Sequence, residues 1–249
     1  MIYKEFQPDV ALSDFVKNYW WFDNSSDQKL DFTILPDGCF DLIVSFNNHQ
    51  QEEISLTGLW TKQVEISIDP NVQLFGIRFK LLAADYIVQQ SVASFCDSKE
   101  IKESNFWELD KTSFEDLESV TYKLDKRMLS ILNGQKRIDS RKQKLFSLLY
   151  QTNGEQTVED YSKQVFWTSR QINRYFKSRF GVSLKSYCKI LKCYASYKHI
   201  KKGKLYPERN YFDQSHFIKD LKKVTGNNPT ELFENKNDRF LQLTTISEK

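Results

Sequence analysis

The 249-residue sequence predicts an α+β protein in two parts: a mainly β, barrel-like domain with trailing helices, then an all-α domain of two helix-turn-helix units. Three observations predict it. Short β-branched runs separated by turn signals fill the chain up to about residue 80. The texture then turns helical. In the last third, one capped amphipathic helix occurs twice, 45 residues apart.

The first dense cluster is "NYWWF" (18–22), where Trp20 and Trp21 face opposite sides of an expected strand. Both suit packing, and they are also the candidates for lining a small-molecule pocket. "DFTILPDGCFDLIVSF" (31–46) reads as two strands around Pro36-Asp37-Gly38, with proline pre-set and glycine free to take positive φ. "EISLTGLW", "VEISI" and "VQLFGIRFK" continue the pattern, which suggests a small barrel or sandwich. After Lys80, "LLAADYIVQQ" and "SFEDLESVTYKLDKRMLSIL" read as helices, and the polar, glycine-containing stretch 133–140 reads as a linker. The expected domains are therefore 1–137 and 138–249.

The stretch "FDQSHFIKDLKKVTG" (212–226) holds Asp213, Ser215 and His216, the ingredients of a hydrolase triad. Phe217, Leu221 and Val224 put it on a helix, with Asp213 as N-cap and Gly226 at the left-handed end. There Ser215 and His216 diverge by about 100°, so neither serves the other. Shifted back by 45 residues, the stretch meets "FWTSRQINRYFKSRFG" (166–181). Thr168 then matches Asp213, Ile172 matches Phe217, Arg174 matches Lys219, Lys177 matches Lys222 and Gly181 matches Gly226. Ser183 and Asn228 follow as caps of the next helices, with Pro229 at a first helical position. Before the first copy, Thr157 and Asp160 form a capping-box pattern, which completes a helix-turn-helix unit. Residues 183–202 read as a rod of about 30 Å, close to the roughly 34 Å between successive major grooves.

Charge separates the two parts. Residues 1–137 carry 14 basic and 22 acidic residues, a balance of −8; residues 138–249 carry 22 and 11, a balance of +11. From Tyr161 to Pro207 there are 12 basic residues and no acidic one. Such a stretch points to a polyanion, nucleic acid or an acidic membrane surface. The apolar positions are better used in packing than in a membrane, so nucleic acid is favoured. No apolar run of 18 residues occurs and "MIYKEFQPDV" lacks a signal peptide's core, so a cytoplasmic location is expected. Four cysteines without a C-x-x-C pair and three scattered histidines suggest no metal, no disulfide framework and no cofactor.

These motifs resemble the AraC/XylS family of bacterial transcriptional regulators, through "TSRQINRYFKSRFGVSLKSY" and "YFDQSHFIKDLKKVTGNNPTE". The resemblance covers about residues 140–234, and a weaker one, through "LPDGCFDLIVSF" and "GIRFK", extends to the regulatory domain of some members. It implies a sequence-specific DNA-binding transcription factor, nucleoid-associated and without catalytic residues, with recognition helices at about 169–180 and 214–225. Arg170, Asn173 and Arg174 would face bases from the first, and Gln214, Ser215, His216 and Lys219 from the second. Thr168, Lys177, Lys222 and Lys223 would meet phosphates. Double-stranded DNA is the expected partner; RNA polymerase, a small-molecule effector and a second copy are further partners in this reading. In "KGKLYPERNYFDQ", Gly203, Pro207 and Asn210 depart from the family pattern and suggest a shortened supporting helix in the second unit. The alternative is a DNA alkyl-damage repair methyl acceptor fused to the same type of DNA-binding domain. It needs an activated cysteine, and Cys39 and Cys96 lack a nearby histidine or second cysteine.

Overall fold

A computed structural model of the chain describes residues 1–135, 137–206 and 214–245. The strands are β1 (Ile2–Phe6), β2 (Val16–Asp23), β3 (Leu30–Ile34), β4 (Phe40–Asn47), β5 (Gln50–Thr57), β6 (Val64–Ile68) and β7 (Val72–Phe79). A one-turn helix α1 (Ala83–Tyr86), strand β8 (Lys99–Lys102) and helix α2 (Leu117–Asn133) complete the first part. The second part is helical: α3 (Ser140–Gln151), α4 (Val158–Val165), α5 (Ser169–Phe180), α6 (Leu184–Lys201), α7 (Gln214–Thr225), α8 (Pro229–Glu234) and α9 (Leu241–Thr245). The α+β architecture expected from the sequence is present.

The strands form a six-stranded antiparallel sheet, ordered β1-β2-β7-β4-β5-β8, and a separate β3–β6 ribbon. Alternation along β2 sends Trp20 and Phe22 against the ribbon, where they pack with Phe32 and Ile68. Tyr19 and Trp21 face the other way, toward the helices. Gly76 lies under the Trp20 indole, and a Cβ there would stand 1.9 Å from the ring, so only glycine fits.

"LLAADYIVQQ" is not a full helix. Leu81, Leu82, Ala83, Ala84 and Ile87 are all buried and leave no polar face, and Gln89 takes φ 57°, so one turn suffices. The expected linker is short and held: Tyr86 Oη accepts a hydrogen bond from the Asp139 amide, and Asp139 caps α3. One apolar core runs from Leu12 to Leu243 across residue 137 without a gap. Its centre is α6, buried on more faces than the four-residue stripe 184, 187, 191 and 194 suggests: Ile190, Cys193, Tyr197 and Ile200 are also inside. The reason is the Pro36-Asp37-Gly38 turn, which docks on it. Tyr187 and Tyr197 hydroxyls donate to the Gly38 and Pro36 carbonyls at 3.0 Å each. Gly38 has φ +79°, and a Cβ there would stand 2.9 Å from Leu191.

Candidate nucleic-acid interface

The first unit is built by local chemistry. Thr157 and Asp160 close a capping box on α4, and Phe166 ends that helix in the left-handed region. Thr168 closes a second box with Gln171 and starts α5, which Gly181 ends at φ +79°. Ile172, Tyr175, Phe176 and Phe180 are buried. Arg170, Arg174 and Lys177, spaced i, i+4 and i+7, are exposed and form one stripe.

Asn173 is engaged within the protein. Its amide nitrogen donates to Ser169 O at 3.0 Å, and its oxygen accepts from the Leu184 amide at 3.2 Å. Both ends of the side chain thus help bracket α5 to the start of α6. Thr168 is exposed but its hydroxyl serves the cap.

The second unit repeats the geometry. Both ends of α7 lie 45 residues after those of α5, and α8 begins 45 residues after α6. Ser215, Lys219 and Lys222 occupy the register of Arg170, Arg174 and Lys177 and are exposed, as are Gln214 and Lys223. His216 Nε2 stands 3.7 Å from the Asp220 carboxylate on the flank of this face. Gly226 has φ +71°. Asn228 closes a capping box with Glu231, with Pro229 at the helix start as expected. The expected Asp213 cap, Pro207 and Asn210 lie outside the described residues. Gly203 turns the chain at φ +79°, and residues 203–206 are not helical.

Charge pairing separates the faces. Among the described residues, the only arginine or lysine of α5 or α7 with a carboxylate partner is Arg179, which meets Asp85. Lys189 of α6 is matched by Asp220 of α7 at 2.7 Å. Arg170, Arg174 and Lys177 of α5 and Lys219 and Lys222 of α7 stand exposed with no carboxylate partner among the described residues.

A cavity of about 380 Å³ lies between the sheet and α6, with Asn18 and Arg78 on one wall, Tyr194 and Lys198 on the other, and the buried Gln242 also lining it. Lys17 bridges Asp37, at 3.5 Å, and the Tyr194 hydroxyl, at 2.8 Å. Burial pushes the Asp37 carboxyl up, but Lys17 and Arg78 outweigh it and hold the group below the usual carboxylate range. Asn18 Oδ1 is buried without a hydrogen-bond partner. Trp20 and Trp21 are not among the lining residues: Trp20 donates to Asp41 at 2.9 Å, and Trp21 packs on Phe46. Sequence reasoning missed this site because its residues come from seven separate segments.

The thiols are poorly disposed to react. Burial pushes Cys39 and Cys188 up to about 12 and Cys96 up to about 11, the opposite of activation. The methyl-acceptor alternative gains no support from them. Among the described residues, no group of three or more histidine, cysteine or carboxylate side chains could hold a metal, and no helix is long and apolar enough to cross a membrane.

Residues 4–100 match a family described as a domain of unknown function, DUF6597. Among curated proteins, none matches significantly. The chain is similar to ToxT from Vibrio cholerae, with TM-score 0.44 and 12% identity over 91% of this chain and 97% of that one. A structure of ToxT bound to an unsaturated fatty acid gives TM-score 0.46 and 10% identity over 98% and 100%. Scores this low leave the function of the present chain to its own residues.

Proposed function

We propose that the protein is a sequence-specific, DNA-binding transcription regulator of the AraC/XylS type, acting in the bacterial cytoplasm. The observation that carries this reading is the pair of unneutralised stripes at one register of two capped helices: Arg170, Arg174 and Lys177 on α5, and Ser215, Lys219 and Lys222 on α7. Arginine forks onto guanine O6 and N7, so Arg170 and Arg174 are the base readers of the first unit. Gln214, Ser215, His216 and Lys219 are those of the second. Lys177, Lys222 and Lys223 meet phosphates, with Thr168 placing the amide end of α5 beside the backbone. Asn173 is withdrawn from the reading set because its amide is used within the protein.

The cavity beside α6 is the effector site in this reading, in place of the two tryptophans. It joins the sheet to the helix that connects both recognition helices, so a molecule held there bears on both.

In vitro selection of duplex DNA with the whole protein tests the assignment. Enrichment of one motif, with affinity falling steeply as salt rises, is the expected result. Failure to bind any duplex at low salt would remove the assignment.

A further inference from the structure

The first recognition helix is held by a residue of the first part of the chain. Asp85, on α1, has a side chain only 8% exposed and takes donors from two helices of the second part. Lys142 Nζ of α3 lies 2.6 Å from Oδ2, the Tyr175 hydroxyl of α5 lies 2.7 Å from the same oxygen, and Arg179 Nε of α5 lies 2.6 Å from Oδ1. Arg179 also donates to the Ala84 carbonyl at 3.0 Å. One carboxylate thus faces two cations and a hydroxyl: Lys142 and Tyr175 hydrogen-bond to it, and Arg179, whose Nε–H is not aligned on an acceptor, contributes charge at ion-pair distance.

The end of α5 is gripped from the same side. The Val92 amide donates to the Arg179 carbonyl at 2.9 Å, and the Ser91 hydroxyl donates to the Ser178 carbonyl at 2.8 Å. These are C-terminal carbonyls that a helix cannot satisfy by itself. Among the described residues, no carboxylate of the first part pairs with a cation of α7. At the register of Tyr175 it carries Asp220, paired within the second part to Lys189. Past its end, Asn227 meets the first part through the Gln63 amide at 2.7 Å.

We propose that Asp85 is a positioning residue for DNA recognition: it fixes the heading of α5 relative to α7, so that the two cationic stripes meet DNA at one spacing. This rests on the DNA-binding reading. Asp85 touches no DNA itself and acts through Tyr175, Arg179 and Lys142. The first part of the chain is then a component of the reading geometry, and not solely a sensor attached to it.

The test uses the whole chain and its Asp85→Asn variant, which keeps the shape and removes the charge, with Tyr175→Phe as a milder second variant. Hydrogen exchange is measured on the free proteins. In Asp85→Asn the amides of α5 exchange about tenfold faster or more, since bonds to a charged group are lost, while those of α7 keep their rates. Tyr175→Phe shows the same pattern at smaller size. Dissociation constants are then measured on the selected duplex, on a duplex with one base pair inserted between the two half-sites, and on a single half-site. The wild type loses roughly tenfold on insertion, because two rigidly held modules no longer engage together. Asp85→Asn loses roughly threefold or less on insertion, with its half-site affinity unchanged.

An unchanged insertion penalty in Asp85→Asn overturns the proposal, whether exchange stays at wild-type rates or quickens equally throughout the core. A wild type that binds no duplex instead removes the DNA-binding reading beneath it, and the two failures are distinct.

Discussion

Helices α5 and α7 share exposed cations at two matching positions, Arg174 with Lys219 and Lys177 with Lys222, and differ in what holds their buried faces. α5 rests in a ring cluster, with Phe176 against Phe146, Phe180 and Tyr187, and reaches Asp85 in the first part of the chain. α7 buries Phe217, Leu221 and Val224 and turns a carboxylate, Asp220, toward Lys189 of α6. The exposed cationic positions recur at one register on both helices. The buried register is set by whichever neighbour the fold supplies. α5 is therefore coupled to the sheet domain, whereas α7 is coupled to the connecting helix.

The largest effect that separates the two is expected from truncating their buried rows. Phe176→Ala removes a ring from the centre of the cluster and costs about 3–5 kcal/mol, against about 2–5 for Leu221→Ala, toward the low end because Leu221 sits outside the ring cluster. Urea unfolding of both variants reads the difference, and equal losses would mean that the two helices are equally embedded. Next comes Asp220→Ala, which leaves the Lys189 ammonium unmatched. Because Lys189 keeps about a third of its side-chain surface in water, the cost is about 1–3 kcal/mol, below that of a fully buried pair. Hydrogen exchange should quicken in α7 and not in α5, and quickening in α5 would contradict the separate anchoring.

A smaller loss is expected at the brackets. Thr168→Ala removes the capping box of α5 and costs about 1 kcal/mol in unfolding experiments. Asn173→Ala costs about as much and leaves base preference on the selected duplex unaltered. A change of preference there would restore Asn173 to the reading set.

The bounds of α5, α7 and the turn at Gly38 were legible because each is written in neighbouring residues: a Thr cap, an apolar row, a closing glycine. The exposed stripes were legible for the same reason, since helical spacing alone places Arg170, Arg174 and Lys177 together. The Asp85 anchor was not, because its partners lie 57 to 94 residues away and "LLAADYIVQQ" reads as a longer helix. Asn173 misled because a polar residue on a recognition helix looks available until its partner on the next helix is known. Likewise the cavity depends on the tertiary meeting of β2, β7 and α6. Tryptophans drew attention away from it, since large aromatics more often pack than line a polar site.

The most direct measurement compares Arg174→Ala with Lys222→Ala on the selected operator and on a scrambled duplex, by anisotropy over a range of salt. Arg174 stands on the outward face of α5 between the buried Ile172 and Phe176, and a forked arginine–guanine contact is worth roughly 1–3 kcal/mol of discrimination. Arg174→Ala should weaken the operator far more than the scrambled duplex and flatten preference at one base pair. Lys222→Ala should weaken both about equally and lower the salt slope by about one contact. If Arg174→Ala weakens the two duplexes by the same factor, the stripe on α5 does not read bases.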